Sequence, residues 1–142
     1  MKIIGAFVVA LLLFAMPTKN LTAQEFKVVV NNSVSDNDIS AKNLARIFLK
    51  QTDRFPNGQE ANPVYQLKDA ACRAAFDKAV LGKTVAGVET FWQQQIFSGR
   101  DVPPASKTSD ETVIAFVRAT PGGIGYVSAG ASAVGVKVIA IR

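Results

Sequence analysis

The chain reads as an α/β fold, a single layered lobe in which strands alternate with helices. Three observations predict it. Residues 26–30, Phe-Lys-Val-Val-Val, are apolar but for Lys27, and their three valines read as a strand buried on both faces, as in a parallel sheet. Apolar residues at helical spacing follow Ser40, Asp69, Thr84 and Ser109, all residues suited to starting helices. Pro121, Gly122 and Gly123 stop the last helix and lead directly into apolar 124–127. Such alternation packs helices against a sheet.

The elements follow in order. After the strand at 26–30, residues 31–38 are polar and read as a loop. Ser40 caps a helix that carries Leu44, Ile47 and Phe48 on one face. Pro56-Asn57-Gly58 makes a turn, and Pro63-Val64-Tyr65 a short strand. Asp69 caps the next helix, whose inward stripe is Cys72, Phe76, Ala79 and Val80, and Gly82 ends it. Thr84 starts a third, with Val85, Val88, Phe91, Trp92 and Ile96 near helical spacing; Ser98-Gly99 stops it. Pro103-Pro104 keeps the following connection extended. Ser109, Asp110 and Glu111 suit a helix start through capping and the helix dipole, and Val113, Ile114 and Val117 form its apolar stripe. Residues 124–127 and 134–141 are the last strands.

The N-terminus reads as a secretory signal peptide over residues 1–23. Lys2 is a short positive region, and residues 3–16 are apolar and uncharged, too short for the ~20 residues that span a bilayer. Pro17 breaks the run, and Leu21-Thr22-Ala23 offers a cleavage site. Residues 24–142 then form one domain, large enough for one core. The whole chain of 142 residues carries a formal net charge of +5; removing Lys2 and Lys19 leaves it mildly basic, with no Lys/Arg cluster to suggest nucleic acid.

The sequence has no histidine and one cysteine. That leaves no set of Cys and His ligands for zinc and no base for Ser-His-Asp or Cys-His catalysis. Cys72 has no partner for an internal disulfide and reads as a buried thiol. No catalytic residue, metal site or cofactor is expected.

Other candidate motifs have plain structural readings. Asp36 and Asp38 are followed by Ile39, Ser40 and Ala41, not by the remaining ligands of a calcium loop. Phe91 and Trp92 read as core, with Gln93-Gln94-Gln95 as the solvated flank of their helix. Gly122, Gly123 and Gly125 lack the Lys-Ser/Thr and following helix of a phosphate loop; positive φ and close backbone approach explain them better. The helix start at Asp69, Ala70, Ala71, Cys72 and Arg73 is the best functional candidate. Free N–H groups and the dipole can hold an anion there, with Lys68 and Arg73 adding charge. Asp69, as an N-cap, would compete for the same donors.

Two stretches carry a family resemblance. Ile47-Phe48-Leu49-Lys50 with Phe55-Pro56-Asn57-Gly58, and Thr120-Pro121-Gly122-Gly123-Ile124-Gly125-Tyr126-Val127, resemble the second lobe of the phosphate-binding proteins that serve ABC transporters, domain 2 of a type 2 periplasmic binding protein. The resemblance covers residues 26–129. Lys50 stands where the family has Gly, and Phe55 where it has Trp. Trp92, Gly99, Pro103 and Pro104 also suit a family of short, exported, single-lobe relatives of these proteins. The family's Ser-Gly-Thr, which opens a phosphate-binding helix, falls on Ala70, Ala71 and Cys72, and its phosphate-binding Arg falls on Gln66. Those lost donors would each supply charge-assisted bonds of about 1.5–3 kcal/mol.

The resemblance implies an exported, phosphate- or oxyanion-binding-like protein of ABC transport, periplasmic or secreted, with a degraded ligand site at Gln66, Lys68, Asp69, Ala70, Ala71, Cys72 and Arg73. Its implied partners are phosphate or another small oxyanion, an ABC transporter or other envelope protein, and a second copy that restores a cleft as a homodimer. The other reading is an envelope protein-interaction module that kept the lobe and lost the ligand. No membrane span is expected after signal removal.

Overall fold

The computed structural model describes residues 25–142. The expected signal peptide, residues 1–23, lies outside them. Among the described residues, seven strands and four α-helices follow one another as β1 (Phe26–Val30), β2 (Asp38–Ile39), α1 (Ala41–Phe48), β3 (Asn62–Pro63), β4 (Tyr65–Gln66), α2 (Ala71–Phe76), α3 (Val85–Phe97), β5 (Ser106–Lys107), α4 (Asp110–Ala119), β6 (Gly123–Ser128) and β7 (Lys137–Ile141). A π-helical turn, Asp77–Leu81, continues α2.

The main sheet has the order β2-β7-β1-β6-β3, and β4 pairs with β5 in a small second sheet. Central β1 is buried as expected, but it runs antiparallel to both neighbours, with Val28 opposite Tyr126 and Ile139. This corrects the parallel reading. Consecutive valines report burial on two faces and not strand direction. Here both faces are covered: Val28, Val30, Ile124 and Tyr126 join α1, Phe76 and Trp92 in one core cluster. Val29 and Val127 join Val113, Ile114 and Val117 of α4 in the other.

Several elements form as the sequence predicts. Ser40, Thr84 and Ser109 each accept a hydrogen bond from the backbone N–H three residues on, and so cap α1, α3 and α4. Leu44, Ile47 and Phe48 are buried beneath α1. Cys72 is buried.

Other elements differ, each for a local reason. The expected strand 63–65 splits at Val64. Pro63 has no N–H to extend a ladder, and the chain crosses to pair with β5. β2 and β5 are only two residues long, and Ile39 is their one apolar residue, so no apolar period announces them. The N-cap of α2 is Ala70, with no side-chain cap bond, and Asp69 is exposed, so Asp69 is not the N-cap. The π turn shifts the inward stripe: Cys72, Arg73, Phe76, Asp77 and Val80 are buried, whereas Ala79 is exposed. On α3 only Val88 and Trp92 are buried, while Ile96 and Phe97 face outward. Val134 is exposed and the last strand starts at Lys137.

Two glycines hold the closing motif. Gly122 has φ 71°, and a Cβ there would lie 2.0 Å from the Glu60 carbonyl oxygen. Gly125 has no positive φ; its Cβ would meet Val113 Cγ1 at 2.7 Å and Val64 Cγ1 at 3.0 Å. It admits the packing of α4 and the segment before β4 against β6.

Candidate functional site

Gln66 ends β4 and is 2% exposed. Its Nε2 donates to Asp110 Oδ1 at 2.6 Å and to the Tyr126 carbonyl at 3.3 Å. Its backbone N–H donates to Tyr126 Oη at 3.2 Å. The same Asp110 oxygen accepts the Ser128 N–H at 3.2 Å. The candidate site is therefore a junction where the end of β4, the end of β6 and the starts of α2 and α4 converge.

α2 opens beside this junction. Lys68, Asp69 and Ala71 are exposed, Ala70 is half-buried, and Cys72 is buried. Burial pushes the Cys72 thiol up, and the Asp110 carboxylate adds to the effect against a hydrogen bond from Ser128. The thiol is thus protonated and poorly nucleophilic at neutral pH.

Arg73 turns away from the junction into the interior. It is 2% exposed, and its Nε donates to Asp77 Oδ2 at 2.7 Å. Nη1 donates to the Gln66 carbonyl at 2.9 Å and Nη2 to Glu89 Oε1 at 3.4 Å. The guanidinium carbon also stands 4.6 Å from the Tyr65 ring centroid. Burial raises the Asp77 carboxyl, with Arg73 acting against it. Tyr65 Oη donates to the Phe48 carbonyl at 2.6 Å and accepts from Trp92 Nε1 at 3.3 Å. Burial likewise pushes the Tyr65 and Tyr126 phenols up. These buried groups form a satisfied network around one ion pair, with Asp77 Oδ1 the exception.

Of the predicted residues, the structure gathers Gln66 and Cys72 at the junction and sends Arg73 beneath it, while Lys68 and Asp69 stay on the surface. Asp110, Tyr126 and Ser128 were not among them. Asp110 reads locally as a helix-start acid, and it lies 44 residues from Gln66. No local pattern pairs the two.

A groove of about 700 Å³ lies elsewhere, lined by Lys50, Asp53, Glu60, Asn62, Asp101 and Phe116 among others. Lys50 Nζ stands 3.5 Å from Asp101 across it. Among the described residues no group of His, Cys, Asp and Glu has a metal-binding arrangement, and no helix is long and apolar enough to cross a membrane.

No protein-family model matches the sequence, and no curated protein does either. Solved structures do match. An ABC-type phosphate transport receptor from Vibrio cholerae superposes with a TM-score of 0.62 at 18% identity, over 82% of this chain and 46% of the receptor. PstS from Borrelia burgdorferi superposes with a TM-score of 0.65 at 17% identity, over 83% of this chain and 47% of PstS. The chain spans about half the length of the solved structures it matches. It has the mixed α/β fold of a lobe of the phosphate transport receptors.

Proposed function

We propose that this chain is an exported substrate-binding lobe of the phosphate-receptor type, one that takes oxyanions only weakly. Fold likeness to phosphate transport receptors supports the receptor reading. Fold alone does not fix function, so the site carries the rest. The carrying observation is the first turn of α2. Its N-cap is Ala70, without a side-chain donor, and its one cation, Arg73, is committed inward to Asp77. Backbone donors and the nearby exposed Lys68 are what remain for an anion around the predicted residues. We place the protein in the periplasm or outside the cell, residues 1–23 being its export signal, with an ABC transporter as partner.

Calorimetry with inorganic phosphate and sulfate tests this. The expected Kd is no tighter than about 0.1 mM, or about −5.5 kcal/mol. Submicromolar binding would overturn it.

A second reading, an envelope interaction module, is favoured by the end of α3. Phe97 is 91% exposed, with Ile96 and Val102 also open to solvent. Exposed apolar clusters of this kind mark protein contacts. Affinity capture from envelope extracts that depends on Phe97, together with no oxyanion binding at any concentration, would favour this reading over the first.

A further inference from the structure

We infer that Asp110 decides what this junction accepts: its carboxylate takes up the donors an oxyanion would need and acts as a built-in competitor. The inference rests on the reading of the chain as an oxyanion-receptor lobe. Both donors are fixed. Gln66 is buried, and its backbone is held by a bond to Tyr126 Oη on one side and from Arg73 Nη1 on the other. Its amide therefore has little freedom to reach past Asp110. Ser128 is held at the end of β6, opposite Phe26. Asp110 Oδ1 meets the two donors at 2.6 Å and 3.2 Å, as one oxygen of a bound anion would.

Asp110 is also fixed from its own side. Ser109 and Thr112 close a capping box around the first turn of α4, and the helix dipole favours an acid there. The carboxylate's field reaches the start of α2, where it contributes to keeping the Cys72 thiol protonated. An incoming phosphate would have to displace this carboxylate from its donors and then sit beside its charge. Like charges at such range repel strongly where water is partly excluded.

Asp110→Asn separates charge from geometry, because the asparagine oxygen still accepts from both donors. Calorimetry on the full chain should show inorganic phosphate bound at least about tenfold tighter by this variant than by the wild type. Glu111→Gln removes an exposed charge one residue away and should change binding by less than about twofold. In amide spectra of the wild type, the Gln66 side-chain and Ser128 backbone signals should stay in place as phosphate rises to about 10 mM. A folded Asp110→Asn protein with wild-type affinity overturns the inference, as does an equal gain in Glu111→Gln. So does movement of those two wild-type signals below that concentration, a result that stands even where Asp110→Asn fails to fold. Submicromolar phosphate binding by the wild type that leaves both signals unmoved is a different outcome: it removes the weak-oxyanion reading itself.

Discussion

Arg73 shows how much a single buried charge can constrain. Its guanidinium ties the end of β4, the turn after α2 and the second turn of α3 through Gln66, Asp77 and Glu89. The Glu89 contact is half open to solvent and adds little. The Asp77 contact is fully desolvated, and removing one partner strands the other. Asp77→Ala should therefore destabilise by about 3 kcal/mol in urea unfolding, whereas the paired change Arg73→Met with Asp77→Leu should recover most of that loss. A double variant as unstable as the single would show that the pair does more than neutralise itself. Cys72 gives a second check at this scale. Buried, with its thiol pushed up, it should react with alkylating reagents far more slowly in the native protein than in denaturant. Equal rates would contradict its placement. Gly125→Val should cost about 2–4 kcal/mol of stability, because Val113 and Val64 leave no room for a side chain. An unchanged melting temperature would reject that packing.

Among the elements, α4 was the most legible and α3 the least. Ser109 caps α4 as its sequence announces, accepting the Thr112 N–H at 3.2 Å while Thr112 Oγ1 accepts the Ser109 N–H at 3.1 Å. Ser109→Ala should cost about 1 kcal/mol, read from thermal or urea melts; a neutral result would mean that Asp110 and Glu111 suffice to start the helix. α3 misleads because its apolar residues lie on more than one face. Val88 and Trp92, one turn apart, carry its burial, and Phe97 contributes none. Phe97→Ser should accordingly leave stability within about 0.5 kcal/mol of the wild type. α2 was legible in position but not in role. Its periodicity finds Cys72 and Phe76, and the i, i+4 spacing of Arg73 and Asp77 allows an ion pair, but charges at that spacing ordinarily lie on a solvated face, and the π turn brings this pair inward. The candidate site was legible only in part for a related reason. The sequence points to Gln66 and the α2 start, but the Gln66–Asp110 contact is made by two elements that meet only in the folded sheet.

At the scale of the whole molecule, a weak ligand has a measurable signature in stability. Any anion that binds the native state and not the unfolded chain stabilises the fold by an amount set by its concentration relative to Kd. Asp110 holds Gln66 and Ser128 in the wild type, so the start of α2 is what remains for an anion. That turn is set only when α2 packs on the assembled sheet, so the unfolded chain has no equivalent site. With a Kd no tighter than about 0.1 mM, phosphate at about 10 mM can add at most ~2.7 kcal/mol, a rise of roughly 10 °C for a domain of this size. Thermal melts across a phosphate series, run at constant ionic strength so that screening of the net positive chain is held fixed, should show a rise within that limit. Sulfate run in parallel separates specific binding from general anion effects. A shift well above the limit would require tighter binding than a first turn without side-chain donors can supply. A shift of zero for every oxyanion would turn the proposal toward the interaction-module reading, in which the fold is kept and the open end of α3, with Phe97 at its tip, is the working surface.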